Sequence, residues 1–582
     1  MLKLLRFLKP YFWSVLFLIL STSIQVFSTL RLPSLMADIV NDGIVTGDSN
    51  YTFTVGLKML GFTALAALAS LTSHYYSAKV GAAFSRDLRE DFYKKVISLS
   101  LADIDNFSTA SLITRTTNDI SQVQSAVMMI LTMLLRAPLM CAGAIFEAFQ
   151  TAPDMTWIIA LGVGLIILFS GLIISAVMSK FKLLQKLIDR LVLVTRENLT
   201  GLRVIRAFNN EKLENTKFET ANNNIIKTTL FIDKIMSFQD PLIGLVFNGI
   251  TLLCIWIGIK NLETNLSYLG NMLAFVEYAA QVIMSFLILT MLLVVLPRAN
   301  VSAVRLNEVF ERKSKISWKK KTVGTPDLRP SVEFKNVSFA YPGAEENVLS
   351  DISFKAEAGE TTAFIGSTGS GKSTLISLVP RFYEATSGEI KISGLSIKDY
   401  EKSDLMKKIG YIPQRGVLFS GNITENITFG NSNASKEEVE KAAEISQSKE
   451  FIEKLEETYS SHIAQGGTNV SGGQKQRLSI ARAIAKKPEI YIFDDSFSAL
   501  DMKTDKKLRA ALKPEIKDSV VLIVAQRINT IKDANQIIVL DNGKIVGKGN
   551  HKNLLKSCKI YQEIVKSQFS EEEFKREMNY AA

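Results

Sequence analysis

The sequence predicts two unlike folds in one chain: an all-α portion of six membrane-crossing helices with long helical extensions, followed by an α/β domain. Three observations carry this expectation. Six long apolar runs fill the first three hundred residues, strand and helix signals alternate after them, and a glycine-rich loop ending in Gly-Lys-Ser falls between a strand and a helix.

A chain of 582 residues is too long for a single hydrophobic core, so at least two domains are expected. Hydrophobic residues make up 47% of it and the mean hydropathy is +0.16, values that suit a partly lipid-embedded protein. The apolar runs are Tyr11 to Val40, Val55 to Tyr76, Val123 to Phe149, Met155 to Met178, Leu242 to Leu262 and Met272 to Leu296, each near or above the ~20 residues that cross a bilayer. The first is too long for a secretory signal and lacks a small-residue cleavage site.

The net charge of +11 raises the question of nucleic acid, and its distribution answers it. Lys and Arg crowd the segments between spans two and three (Lys79, Arg86, Arg89, Lys94) and between spans four and five (Lys180, Lys182, Lys186, Arg190), while the alternate short loops carry Asp42, Asp48, Asp154 and Glu263. The positive-inside rule therefore expects a multi-pass protein of the cell membrane with both termini and the second domain in the cytoplasm, and gives the excess charge a topological origin that disfavours a nucleic-acid partner. Cys141, Cys254 and Cys558 are widely separated, with neither CxxC spacing nor a paired framework, so no structural disulfide or zinc site is expected.

The expected division is a membrane domain at 1–297, a charged linker at 298–331, a nucleotide-binding domain at 332–568 and a charged tail at 569–582. In the second domain Val332 to Phe339, Thr361 to Ile365 and Ile490 to Phe493 read as strands, and Lys372 to Arg381 and Gly473 to Lys486 as helices, the pattern of a largely parallel sheet. Asn542-Gly543 between Ile537 to Leu540 and Lys544 to Gly547 is a hairpin signal.

The chemistry begins at Gly366-Ser367-Thr368-Gly369-Ser370-Gly371-Lys372-Ser373-Thr374, after a strand and before a helix, which is the context of a phosphate-binding loop. Its glycines let backbone N–H groups surround phosphates, Lys372 supplies a cation for the outer phosphates and Ser373 a hydroxyl for Mg²⁺. Downstream, the apolar run from Ile490 ends in Asp494-Asp495, which supplies a carboxylate, Asp494, to the same metal. A magnesium nucleotide is the expected ligand.

Val470-Ser471-Gly472-Gly473-Gln474-Lys475-Gln476-Arg477 separates this loop from those of kinases, GTPases and helicases, because it resembles the signature motif of ABC ATPases. The order Tyr341, phosphate loop, Gln414, signature, Asp494, Asp501 and the Gln526 segment is similar to the full ABC series, and six spans followed by one such domain is the layout of an ABC exporter half-transporter. The resemblance implies two ATPs sandwiched head to tail between two nucleotide domains. It implies adenine stacking on Tyr341, metal contact by Ser373, Gln414 and Asp494, a trans contact of Ser471 to Gln474 with the γ-phosphate held by the opposite subunit, and a place for Asp501 at the dimer seam. An exposed turn carboxylate is the plainer reading of Asp501.

Two departures from the family pattern are informative. Asp495 stands where the family usually has a glutamate base; withdrawing a carboxylate by ~1.5 Å costs on the order of 10²-fold in rate. Gln526 stands where a histidine contacts the γ-phosphate, and glutamine cannot become a cation. Together they resemble the impaired site of a heterodimeric ABC exporter, in which this chain's Ser471 to Gln474 completes the partner's active site. A homodimer, and an exporter-shaped importer of the siderophore type, carry the same motifs.

The resemblance also implies short coupling helices near Phe107 to Leu112 and Val204 to Asn210. Within the spans, Arg31, Arg136, Glu147 and Glu277 are costly residues that read toward the outer half, as gate or substrate contacts or as mutual ion pairs. Phe247, Phe275 and Phe286 are weighed as lining of an apolar cavity for amphipathic or hydrophobic small molecules, against packing or lipid contact.

Overall fold

The computed structural model describes the chain except residues 263–267, 315, 328 and 582. Glu263, assigned above to the last short loop, lies outside the described residues. The chain divides into two compact units, one of residues 1–97 and 110–311, the other of residues 98–109 and 312–582.

The first unit is all helix. Its six candidate membrane spans are Leu2–Ile44, Ser49–Ser98, Thr109–Thr151, Pro153–Thr200, Glu211–Ile259 and Tyr268–Glu311, of 43 to 50 residues each. At 1.5 Å per residue, the 50-residue helix Ser49–Ser98 is about 75 Å long, more than twice a bilayer's hydrocarbon core. Lipid-sized apolar surface covers the outside, with Trp13, Phe53 and Leu252 exposed, while Val26, Met140, Ile158, Cys254, Phe275 and Tyr278 pack a buried seam. Phe275 thus belongs to the packed interior rather than to a cavity wall, and Phe247 and Phe286 pack partly buried against the same seam.

The sixth helix continues to Glu311, so the first part of the expected 298–331 linker is helical. Nothing in Ala299 to Glu311 breaks a helix, and its Ala, Arg, Leu and Glu residues favour one, so the charged composition marked a helix leaving the apolar region rather than a loop. Beyond it the chain lies against the second unit: Arg381 stands over the Trp318 ring at 4.7 Å and Val323 donates its N–H to Asp399 O at 2.8 Å.

The second unit holds strands β1 (Ser331–Phe339), β2 (Leu349–Glu357), β3 (Thr361–Gly366), β4 (Ser387–Ile392), β5 (Leu395–Ser396), β6 (Ile409–Ile412), β7 (Gly421–Asn422), β8 (His462–Ile463), β9 (Ile490–Asp494), β10 (Val520–Val524), β11 (Gln536–Asp541) and β12 (Lys544–Gly549). The six-stranded sheet has the order β12-β11-β3-β10-β9-β6, parallel throughout except at the β11–β12 hairpin. Every residue of β9 and β10 is buried, as a sheet covered on both faces requires. A second, antiparallel sheet has the order β2-β1-β4-β5. Asn542 and Gly543 at the hairpin tip both have positive φ, 45° and 75°.

Two boundaries differ from expectation. The helix after the phosphate loop ends at Leu378 rather than Arg381, and Arg381 itself takes a φ of 56°. The charged tail folds as a helix, Glu571–Ala581, because it is amphipathic: Phe574 and Met578 pack on the domain core and Glu577 meets His551 at 3.3 Å.

Residues 98–109 carry the helix Leu101–Phe107, capped by Ser100. Wholly buried Asp103 pairs with Arg312 at 2.8 Å, and Asp105 accepts a hydrogen bond from Tyr383 Oη at 2.9 Å. The segment Phe107 to Leu112 takes in the end of this helix, Ser108 with a φ of 56°, and the start of the helix Thr109–Thr114. The segment Val204 to Asn210, in the other unit, overlaps the helix Leu202–Ala207 and has Val204 and Phe208 exposed.

Candidate nucleotide site

The carboxyl edge of the parallel sheet gathers the site. Adjacent strands β3, β10 and β9 end in the phosphate loop, the Gln526 segment and Asp494-Asp495, and β6, paired to β9, leads to Gln414. Ligands of open α/β sheets bind at this edge.

The loop's shape demands glycine at two places. Gly371 has a φ of 92°, and a Cβ on Gly366 would come within 2.1 Å of Leu540 O. Lys372 follows as the first helical residue and is 9% exposed. Its Nζ donates to Gly366 O at 3.0 Å and Ser367 O at 2.6 Å, so the ammonium lies over its own loop. Burial pulls its pKa below the usual lysine value, against the pull of Asp495 and Asp494.

Ser373 Oγ donates to Asp494 Oδ1 at 2.8 Å, and Tyr411 Oη donates to Asp494 Oδ2 at 3.3 Å. Burial raises the Asp494 pKa, and the bonds from Ser373 and Tyr411 oppose that. Two oxygen donors held side by side, one a buried carboxylate, fit a hard cation such as Mg²⁺. Bound there, Mg²⁺ would neutralise phosphate charge.

Asp495 is 7% exposed and adopts a φ of 49°, a left-handed conformation that aspartate tolerates. Its Oδ2 accepts from two glutamine amides, Gln526 Nε2 at 2.9 Å and Gln414 Nε2 at 3.3 Å. Burial raises its pKa, opposed first by the Gln414 bond. Gln414 therefore spends its amide nitrogen on Asp495, leaving its carbonyl oxygen, the atom a cation takes, out of that bond.

Tyr341 is 37% exposed, its ring edge-on to Phe339 and Tyr383 and its hydroxyl 3.0 Å from Thr374 Oγ1. Ser471 caps the helix Gly472–Lys486 in a reciprocal box: Gln474 N–H donates to Ser471 Oγ at 3.3 Å and Ser471 N–H to Gln474 Oε1 at 2.8 Å. A Cβ on Gly472 would meet nothing within 4 Å, so open space lies beside the helix start. Asp501 caps its own helix, Met502–Leu512, accepting from Thr504 N–H at 2.9 Å, which lowers its pKa.

Three contributors escaped the sequence reading. Tyr383 links the Tyr341 ring to Asp105, Tyr411 holds Asp494, and Gln568 clasps the Gln526 loop by donating to Gln526 O at 2.6 Å and accepting from Ile528 N–H at 2.9 Å. Only Tyr411, beside Gln414, carried a positional signal.

Of the membrane charges, Arg31 pairs with Glu147 at 3.8 Å and lies over the Phe27 ring at 5.4 Å. Glu277 is exposed on the sixth helix. Arg136 lines a cavity within the helical unit. It stands 13 residues from either end of the apolar run Val123 to Phe149.

Six apolar helices followed by a phosphate-loop domain with a capped signature helix define a membrane protein that couples ATP hydrolysis to transport. Residues 12–286 match the ABC transporter transmembrane region and residues 349–498 the ABC transporter ATPase domain. The chain is 37% identical to an ABC transporter ATP-binding protein of Mycobacterium tuberculosis, over 98% of each, and 31% identical to an ATP-dependent lipid A-core flippase of Hahella chejuensis, over 98% of this chain and 97% of that one. The structure of a bacterial Atm1-family ABC exporter with ATP bound shares the fold, with a TM-score of 0.80 at 22% identity, covering 97% of this chain and 99% of that one. The chain belongs to the ABC transporter family, as an exporter-type half-transporter.

Proposed function

We propose that this chain is the weakly hydrolysing half of a heterodimeric exporter of amphipathic or hydrophobic small molecules, with both termini and the ATPase domain in the cytoplasm. The observation that carries the reading is the pair of amides on Asp495. A general base must hold a free lone pair within reach of the attacking water, and here one carboxylate oxygen is engaged by both Gln526 and Gln414 while the side chain is a methylene short. A glutamine at 526 cannot supply the positive charge that a histidine offers to a γ-phosphate.

The intact signature helix argues that this chain still serves a partner's site. Its N-terminal N–H groups and dipole suit an anion, and among the described residues the side chains of Ser471 and Gln474 bond only to each other's backbone N–H, so a phosphate can replace them. The flippase relative supports a lipid-like or amphipathic substrate.

The test is ATPase activity of the purified chain in nanodiscs, alone and with a second half-transporter, alongside ATP binding. Tight binding with negligible turnover alone, rescued by the partner, is the expected result. In the complex, Gly473→Asp abolishes turnover and Asp495→Ala changes it modestly. Robust turnover by this chain alone replaces the proposal with a homodimer, and equal losses from the two substitutions remove the asymmetry.

A further inference from the structure

The helical unit encloses a cavity of about 70 Å³ between the first, second, third and sixth long helices. Gln25, Thr22, Ser73, His74, Thr132 and Arg136 supply its polar wall, and Met133 and Ile288 part of its apolar one. Gln25 and Arg136 each lie near the midpoint of an apolar run, and Ser73 lies near the end of the run Val55 to Tyr76.

The polar groups differ in what they have left to give. Thr22 Oγ1 donates to Leu18 O at 2.9 Å and lies 2.9 Å from Ser73 Oγ, so those two hydroxyls satisfy each other. Gln25 is 8% exposed, and neither its amide nor the Arg136 guanidinium has a hydrogen-bond or ion-pair partner among the described residues. Among the described residues no acidic side chain lines the cavity. Arg31, the other arginine in the spans, has Glu147 at 3.8 Å. Arg136 also follows directly on a π-helical stretch, Ile130–Leu134, which turns Thr132 and Met133 toward the same cavity.

A guanidinium in mid-membrane without a counter-charge is costly, and an arginine fork beside an amide is a donor set for a carboxylate, phosphate or sulfonate. We propose that this cavity is a subsite for the acidic group of the transported molecule, with Arg136 its anchor, Gln25 its second donor, and Met133 and Ile288 the seat of the adjoining apolar chain. The substrate class is an anionic amphiphile, either a lipid with an acidic headgroup or a soluble acid with an apolar tail. The inference rests on the exporter reading above.

The experiment uses the full transporter in nanodiscs with matched twelve-carbon probes: dodecanoate, dodecanol and dodecylamine. Direct binding and ATPase stimulation are measured for the wild type, Arg136→Gln, Arg136→Lys and Gln25→Ala. Arg136→Gln is expected to weaken dodecanoate roughly tenfold to a hundredfold while dodecanol shifts less than about twofold, with Arg136→Lys in between. Competition by phosphatidylglycerol but not phosphatidylcholine identifies a lipid as the occupant; its absence identifies the soluble acid.

A loss shared equally by all three probes overturns the subsite and makes Arg136 a packing residue or the mate of a carboxylate on the partner subunit. Unchanged dodecanoate binding in Arg136→Gln overturns it as well. The exporter reading is judged separately: dodecanoate that binds through Arg136 but is neither transported nor stimulatory sustains the subsite and sinks export.

Discussion

The nucleotide corner and the Arg136 cavity solve the same problem, a charge kept from water, in opposite ways. In the nucleotide site three buried charges are engaged before a ligand arrives: Lys372 by its own loop's carbonyls, Asp494 by Ser373 and Tyr411, Asp495 by two glutamines. In the membrane unit Arg136 meets no carboxylate among the described residues. A preorganised site exchanges internal bonds for ligand bonds at little reorganisation, whereas an unsatisfied one draws selectivity from the charge it lacks.

The comparison can be broken at several points. Lys372→Ala removes the cation over the phosphate loop, and ATP affinity is expected to fall on the order of 100-fold in a nucleotide-binding titration. An unchanged affinity would mean that the lysine's bonds to Gly366 and Ser367 are its whole purpose.

Tyr383→Phe deletes only the hydroxyl that reaches Asp105. ATP binding is expected to hold while substrate stimulation of ATPase drops several-fold, because the helix Leu101–Phe107 loses its tie to the Tyr341 ring cluster. Equal effects on binding and stimulation would make Tyr383 a packing residue alone.

Asp495→Asn probes the cost of the buried carboxylates. Burial raises the pKa values of Asp494 and Asp495, so the folded state holds their protons more readily than the unfolded one. Each charge therefore costs stability above its folded pKa, and the cost fades as pH falls through the carboxylate range. The variant is expected to melt a few degrees higher than wild type at neutral pH without nucleotide, with the gain shrinking toward acidic pH; a pH-independent gain would point to packing instead.

The smallest effect is expected at Arg31 and Glu147, whose 3.8 Å separation and half-exposed arginine make a weak pair. A double-mutant cycle read by thermal stability should give a coupling of about 0.2–1 kcal/mol. A much larger value would show that paired and unpaired arginines in these spans are less different than the geometry says.

Much of this was legible from sequence because the signals are local. A phosphate loop is a contiguous string in which Gly366, Gly371 and Lys372 act through the backbone they belong to, and the six spans are runs of composition. That the spans continue as helices beyond the bilayer is legible for the same reason; the end of the sixth helix is not, because charged residues from Arg298 to Glu311 look alike in a helix and in a loop. The partner of Asp495 was half legible: Gln526 was singled out as a missing histidine, but not that its amide is spent on Asp495 beside that of Gln414.

By itself the sequence determined the two fold classes and the phosphate-loop motif that marks an ATP-binding domain. Tertiary structure alone decided which charges are satisfied, since that depends on side chains far apart in the chain: Tyr383 with Asp105, Gln568 with the Gln526 loop, Arg31 with Glu147, and Arg136 with none among the described residues. The reason is physical. A motif fixes what a residue can donate or accept, but only packing fixes whether a partner stands within 3 Å or so to take it.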